Sequence, residues 1–365
     1  MKTTYFERRK TKTIRIGNVG IGHDFPVSIQ SMTNTKTIDT LATLAQIKEL
    51  AANGCEIIRV AVPDRDAAFS LGRIVEGSPL PVIADIHFDY QLALTAIEQG
   101  VNGLRLNPGN IGARWKVEEV VRAAQERKTP IRIGVNSGSL EKELLHKHGG
   151  VCADAMVESA LKHIAILEDL NFDLIKVSLK ASHVPLMIEA YRKIAEAGAY
   201  PLHLGVTEAG LVENGSIKSA VGIGTLLAEG IGDTIRVSLT GDPVPEIKAA
   251  KVILRTLGLR EKGVEIISCP TCGRCQLDLL KIAKEIELRT AQIELPLTIA
   301  VMGCAVNGPG EAKEADVGIA GGKGEGLVFV KGAIVRKVPE NELVDALLDQ
   351  INKLIQSDKF KNKGV

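Results

Sequence analysis

Apolar residues come in short runs along about the first 240 positions, separated by longer stretches in which they recur every three or four residues. The runs are "PVSIQSM", "EIIRVAVP", "PVIADIHF", "GLRLNPG", "IRIGVNSG", "LIKVSLK", "LHLGVTEAG" and "TIRVSLTGDP". Between them lie helical patterns. "TLATLAQIKELAANG" carries Leu41, Leu44, Ile47 and Leu50 and stops at Gly54, a C-capping residue. "YQLALTAIEQG" and "HVPLMIEAYRKIAEAG" end the same way. A strand followed by a helix, eight times over, predicts an α/β fold of (β/α)8 barrel type. An open doubly wound sheet is the alternative, and the eight regular units favour closure.

Side chains alternate faces along a strand. Arg59 therefore shares a face with Ala61, Arg105 with Asn107, and Arg132 with Gly134 and Asn136. Lys176 goes with Ser178 and Lys180, His203 with Gly205 and Thr207, and Arg236 with Ser238 and Thr240. The opposite faces are Ile, Leu or Val, which suits packing under outer helices. Arg59, Arg105, Arg132, Lys176 and Arg236 are thus expected inside the barrel, with Asn136 and His203 beside them. Barrel interiors are normally aliphatic, and buried like charges are costly unless an anion compensates them. Either these cations face solvent or pair with Asp85 and Glu208, or they hold a small polyanion, most simply a diphosphate. The glycine-rich strand ends "NPGNIG" and "NSGSL" add backbone N–H donors at the face where barrel active sites lie. Asp85 and His87 at the end of the third strand, and Glu208 beyond the seventh, are the candidate acid–base groups; each serves equally well as a partner of a lumen cation.

Composition narrows the class. The 365 residues suffice for two domains, and 45% hydrophobic with 24% charged is a globular balance. A net charge of +1 and 3% aromatics provide neither the field nor the stacking surface for nucleic acid. "MKTTYFERRK" has no apolar stretch behind it, and no run approaches membrane-spanning length, so a cytoplasmic enzyme without a membrane partner is expected.

After "PEIKAAKVILRTLG", a suitable last barrel helix, "LREKG" reads as a linker between a barrel at 1–260 and a smaller α+β domain at 264–365. The second domain is expected to hold a strand into "CPTC", a helix from about Gln276 to Arg289, strands in "LTIAVMGC", "DVGIAG" and "GLVFVK", and a last helix near 340–356. Cys269, Cys272 and Cys275 stand three apart, and Cys304 follows in "VMGCAVNGPGE". Four thiolates fit zinc, but a zinc ribbon uses two CxxC pairs and Cys304 has no near partner. The bacterial ferredoxin run would need a fourth cysteine close by. An iron–sulfur cluster with an unusual ligand fits better. Cys55 and Cys152 fall in barrel segments as packing residues.

"SMTNT", "ADIHFD", "GLRLNPGNIG", "HLGVTEAG", "SCPTCGR" and "MGCAVNGPGEAKEADVGIAGG", in this order, closely resemble the family of bacterial 4-hydroxy-3-methylbut-2-enyl diphosphate synthases across essentially the whole chain. The resemblance implies reductive ring opening and dehydration of 2-C-methyl-D-erythritol 2,4-cyclodiphosphate, with flavodoxin or ferredoxin as electron donor. It implies a [4Fe–4S] cluster held by Cys269, Cys272, Cys304 and Glu311. It also implies a barrel that grips the diphosphate through Arg59, Arg105, Arg132, Lys176 and Asn136. Cys275 departs from the family pattern, so an all-cysteine set competes with the set containing Glu311. A carboxylate is held more weakly than a thiolate on such iron. Glu311 therefore suits catalysis as the ligand able to give way, and Cys275 is expected to start the following helix.

Two readings of other classes remain: a zinc-stabilised barrel lyase or transferase on a phosphorylated substrate, and a non-enzymatic iron–sulfur carrier, which would need no anion pocket. Finally, the last barrel helix returns the chain to the face opposite the active mouth. The seven residues "GLREKGV" span at most ~25 Å. A head-to-tail homodimer, each cluster domain covering the other chain's mouth, is expected.

Overall fold

The computed structural model describes residues 6–260, 263–304 and 313–356. The chain divides into two compact units, Met1–Arg260 and Glu261–Val365.

The first unit opens with an antiparallel hairpin, β1 (Ile14–Ile16) and β2 (Val19–Ile21). Eight barrel strands come next: β3 (Ser28–Met32), β4 (Ile57–Ala61), β5 (Val82–Asp85), β6 (Gly103–Arg105), β7 (Ile131–Asn136), β8 (Ile175–Lys180), β9 (His203–Leu204) and β10 (Thr234–Ile235). All pairs are parallel, in the order β8-β7-β6-β5-β4-β3-β10-β9. A single parallel bridge between Val177 and Leu202 joins the two ends, with the Val177 N–H donating to the Pro201 carbonyl at 3.0 Å. The barrel expected from the eight runs is therefore present. Its helices are α1 (Thr40–Ala52), α2 (Arg65–Gly77), α3 (Tyr90–Glu98), α4 (Arg114–Arg127), α5 (Lys142–His148), α6 (Ala153–Glu168), α7 (Val184–Ala197), α8 (Val212–Ala228) and α9 (Val244–Thr256). The first three start at aspartate N-caps, Asp39, Asp64 and Asp89, whose carboxylates accept the orphan amides of Ala42, Ala67 and Gln91.

Three local expectations change. Leu41 is 81% exposed, whereas Ile47 and Leu50 are buried. A strict three-residue spacing drifts by about 60° per step on an α-helix, so Leu41 ends up on the side opposite Leu50. The hairpin is additional to the eight units. Its Ile14, Ile16 and Ile21 pack with Ile57 and Ile83 from the starts of β4 and β5, so an aliphatic plug closes the N-terminal end of the lumen. The short α5 is also additional.

In the second unit, β11 (Val264–Ser268), β12 (Leu297–Met302), β13 (Val317–Gly321), β14 (Glu325–Val330) and β15 (Ala333–Pro339) form one sheet in that order, the first three parallel and the rest antiparallel. Helices α10 (Leu279–Thr290) and α11 (Leu343–Gln356) cover one face through Ile282, Ile286, Leu343, Leu347 and Ile351, against Ile299, Val301, Ile319 and Val328. The first helix starts at Leu279, where the Asp278 carboxylate accepts the Lys281 amide, rather than at Gln276. β15 is additional: as an edge strand with only Val338 buried it leaves no alternation in the sequence.

Candidate active site

The lumen above the aliphatic plug is lined by cations. Asp85, Arg105, Arg132 and Lys176 are successive register partners across β5 to β8, so they form one row inside the barrel. Arg59 on β4 pairs in register with Met32 and Ile83, and Lys180 lies beside Asn136 two inward-facing positions nearer the mouth than Lys176. Arg132, Lys176 and His203 are at most 2% exposed, and Arg105, Lys180 and Asp85 are 7% exposed.

Opposing charge is scarce. Asp85 lies 3.4 Å from Arg105 and 3.7 Å from Arg59. Glu246, from the first turn of α9, lies 3.6 Å from Arg236 and is held by the Ser31 hydroxyl and the Leu239 N–H, each at 3.0 Å. Asp233 acts on Lys176 from below but is already engaged by Arg8 at 3.0 Å. Among the described residues, six cations thus share the lumen with two carboxylates. Lys176 Nζ, Nε of Arg105, Arg132 and Arg236, and His203 Nε2 have no hydrogen-bond partner among the described residues. Buried donors without acceptors are costly and therefore point to an absent acceptor.

The titration behaviour reflects this crowding. Burial, with Arg236 and Arg105 nearby, brings Arg59 down to about 10 despite Asp85. Burial and neighbouring guanidinium groups push Arg132, Lys176 and Lys180 well below their ordinary values. Burial opposes ionisation of Asp85, but Arg59, Arg105 and Arg132 outweigh it and hold the carboxyl below its usual range. Burial first, then Lys180 and Arg132, drives His203 far down, so it is neutral; its Nδ1 meets the Thr234 hydroxyl at 2.6 Å.

At the mouth, His87 Nδ1 lies 3.0 Å from an Arg105 guanidinium nitrogen, and burial followed by Arg105 lowers its pKa. Arginine only donates, so the imidazole nitrogen accepts. Glu208 is exposed and takes φ +52°, a left-handed conformation uncommon for a non-glycine residue. The preceding Thr207 N–H donates to the Ala181 carbonyl at 3.3 Å, so Glu208 stands at the C-terminal rim between the ends of β9 and β8. Asn136 is half-buried at the end of β7.

The structure thus gathers Arg59, Arg105, Arg132, Lys176, His203, Arg236 and Asp85 in one lumen, with His87, Asn136 and Glu208 at its rim. Two further residues belong to the site: Lys180, which alternation places on the inward face of β8 but which is not among the expected site residues, and Glu246. Lys180 carried the same alternation signal as Lys176. Glu246 sits in "PEIK", which reads as an ordinary acidic helix start.

In the second unit, β11 and β12 run parallel with Ser268 opposite Val301, so Cys269 and Cys304 leave the C-terminal ends of adjacent strands. Cys269 Sγ accepts the Gly303 N–H at 3.2 Å, the Cys275 N–H donates to the Cys272 carbonyl at 2.9 Å, and the Gln276 N–H to the Gly303 carbonyl at 2.9 Å. A Cβ on Gly303 would lie 2.5 Å from Cys275 Sγ, so only glycine lets these turns meet. Among the described residues no three His, Cys, Asp or Glu side chains converge on a metal position, and Glu311 lies outside the described residues. Thiol donors at one sheet end, with an amide aimed at a sulfur, fit an iron–sulfur group. Cys55, in contrast, is buried with its thiol pushed up to about 12 by desolvation, and Cys152 caps α6 through the Ala155 amide.

The model of the GcpE TIM-barrel domain matches residues 11–251, and that of the GcpE protein C-terminal domain matches 265–353. The chain belongs to the GcpE family. A GcpE relative from Geobacter sulfurreducens is 64% identical over 348 residues, covering 95% of this chain and 99% of its own length. Relatives from Clostridium acetobutylicum and Thermodesulfovibrio yellowstonii are 58% and 59% identical, each over 95% of this chain and 100% and 99% of their own. All three are named 4-hydroxy-3-methylbut-2-en-1-yl diphosphate synthase (flavodoxin). The resemblance carried by the motifs is borne out along both GcpE units. Among the described residues no helix is long and apolar enough to cross a membrane.

Proposed function

We infer that the chain performs the reaction for which its relatives are named. It is an oxidoreductase of the methylerythritol phosphate route that converts 2-C-methyl-D-erythritol 2,4-cyclodiphosphate to 4-hydroxy-3-methylbut-2-enyl diphosphate. The observation that carries the binding site is the lumen of six cations facing two carboxylates, with buried donors awaiting acceptors. Arg59, Arg105, Arg132, Lys176, Lys180 and Arg236 grip the diphosphate, Arg132 and Lys176 from the deep row and Lys180 from nearer the mouth. Asn136 and the neutral His203 add uncharged polar contacts. Two electrons enter, the C–O bond to phosphate breaks, and a hydroxyl leaves as water. Glu208 at the rim supplies the proton to that hydroxyl. Asp85, kept ionised by three arginines, aims Arg59 and Arg105. His87 faces Arg105 with both ring nitrogens, Nδ1 at 3.0 Å and Nε2 at 3.3 Å, and from the rim helps to set that guanidinium against the substrate.

Cys269, Cys272, Cys304 and Glu311 would hold a [4Fe–4S] cluster. When bound, it supplies electrons one at a time from a flavodoxin or ferredoxin. Cys275 packs against Gly303 with its thiol donating to the Leu277 carbonyl at 3.3 Å, which supports a place beside the cluster rather than on it. The active species is proposed to be a head-to-tail homodimer.

An anaerobic turnover with the cyclodiphosphate and a reduced viologen tests the reading, with the allylic diphosphate as expected product. Arg105→Leu and Arg132→Leu should each weaken substrate binding about 30-fold, the worth of a charge-assisted contact of ~2 kcal/mol. The visible spectrum should stay unchanged. Absence of product from the loaded protein, or unaltered affinity in both variants, rejects the site.

A further inference from the structure

A histidine outside both glycine-rich mouth loops holds the one following β6 and approaches the residue just past the one following β7. His163 lies on α6 and is 4% exposed. Its Nδ1 accepts the Gly109 N–H at 3.1 Å, within the Pro108–Asn110 turn that ends the β6 loop. An accepting Nδ1 leaves the proton on Nε2. That nitrogen lies 3.4 Å from Glu141 Oε1, just beyond the β7 loop, and Ser159 donates to the same oxygen at 3.0 Å. Burial, opposed by Glu141, lowers the His163 pKa and keeps the accepting form. The approach requires glycine, since a Cβ on Gly109 would lie 2.7 Å from the imidazole Cε1.

The contact leads straight to the lumen. The Asn110 N–H donates to the Asn107 carbonyl at 2.9 Å, closing the turn on Asn107. The Asn107 side chain then clasps Gly134 of β7 at both ends: Oδ1 accepts its N–H at 2.8 Å and Nδ2 donates to its carbonyl at 3.0 Å. Arg105 Nη2 donates to that same carbonyl at 3.1 Å. Gly134 has no side chain because a Cβ would stand 2.7 Å from Arg105 Nε. β6 is only three residues long, so its ladder alone does little to fix the chain beyond Arg105.

We propose that His163 is a positioning residue for the substrate clamp, setting the Arg105 guanidinium through the Gly109 amide, the Asn107 side chain and the Gly134 carbonyl. The proposal rests on the lumen being the diphosphate site. His163 touches no substrate. Its loss should therefore show in KM rather than in kcat, because the clamp is displaced while the electron path is untouched.

The test compares His163→Asn with His163→Phe in the cluster-loaded, full-length protein. The Asn Oδ1 falls near the place of Nδ1 and still accepts from Gly109; Phe keeps the ring volume and withdraws the acceptor. KM for the cyclodiphosphate should rise about tenfold in His163→Phe, the worth of one hydrogen bond. It should change little in His163→Asn, with kcat and visible spectrum retained in both and a modest fall of the thermal midpoint confined to His163→Phe. Hydrogen exchange at the Gly109 amide should quicken only in His163→Phe. Should His163→Phe not fold, His163→Gln, which keeps a polar tip toward Glu141 but not the Nδ1 acceptor, carries the same expectation. Equal KM across the variants, or equal impairment of the Asn and Phe variants, overturns the proposal. A wild-type protein that does not turn over the cyclodiphosphate overturns the functional reading instead.

Discussion

Lys176 and Lys180 share one face of β8 but not one environment. Lys176 feels Asp233 below it, whereas Lys180 is surrounded by Arg132, Arg236 and Arg59 with Glu246 as its opposing charge. Its Nζ lies against Gly205, where a Cβ would stand 2.6 Å away. Burial lowers Lys180 well below the ordinary lysine value. The unfolded chain then holds a proton that the folded one lacks, so stability of the ligand-free protein rises with pH until the ordinary value is passed. A bound polyanion reverses the balance and recharges the lysine. Binding of the cyclodiphosphate at mildly alkaline pH should therefore take up protons, visible as a dependence of the calorimetric heat on the buffer's ionisation enthalpy. In Lys180→Met the uptake should shrink, and the ligand-free thermal midpoint should be higher and flatter with pH. Binding heats that do not depend on the buffer would refute this account. Alternation along β8 made both lysines legible in the sequence. Their depressed charge was not, because it depends first on burial in the closed barrel and then on Arg132 and Arg59, which approach from other strands.

At the scale of elements, the hairpin of β1 and β2 closes the lumen at its N-terminal end. Ile57 and Arg59 point the same way from β4, one into the isoleucine plug and the other into the cationic site. The plug keeps water from the site's floor and supports the ends of β4 and β5. Ile16→Ala should cost about 3 kcal/mol of barrel stability, in the range for a large-to-small change in a packed core. Substrate KM should stay the same, because the cations lie a layer above. Denaturant unfolding and steady-state kinetics on the same preparation check both parts, and a raised KM at unchanged stability would contradict the layering. The hairpin was not legible because "IRIGNVGIG" is short and is buried only by residues that arrive from two other strands. β15 was hidden for the opposite reason: an edge strand with one buried position leaves almost no periodicity.

At the scale of the whole molecule, the barrel carries the proposed anion site and the second unit carries the thiols. Each active site of the proposed homodimer draws on two chains. Mixing an Arg132→Leu chain with a Cys304→Ser chain should then restore part of the activity that each lacks alone, since a mixed dimer holds one site with an intact barrel and an intact cluster domain. Reconstituted mixtures assayed anaerobically would show it, and a fully active monomer by sedimentation would exclude it. By itself the sequence determined the eight strand–helix units, the face each cation takes, and the thiol chemistry of the second unit. These come from periods of two and 3.6 residues and from motif spacing, all of which are local. Only the tertiary structure decided the charge balance of the lumen, its aliphatic floor and the setting of its clamp. Glu246 enters from the helix after the last strand, Ile14, Ile16 and Ile21 from before the first, and His163 from the outer layer. Which charge meets which depends on closure of the barrel, and no local pattern records it.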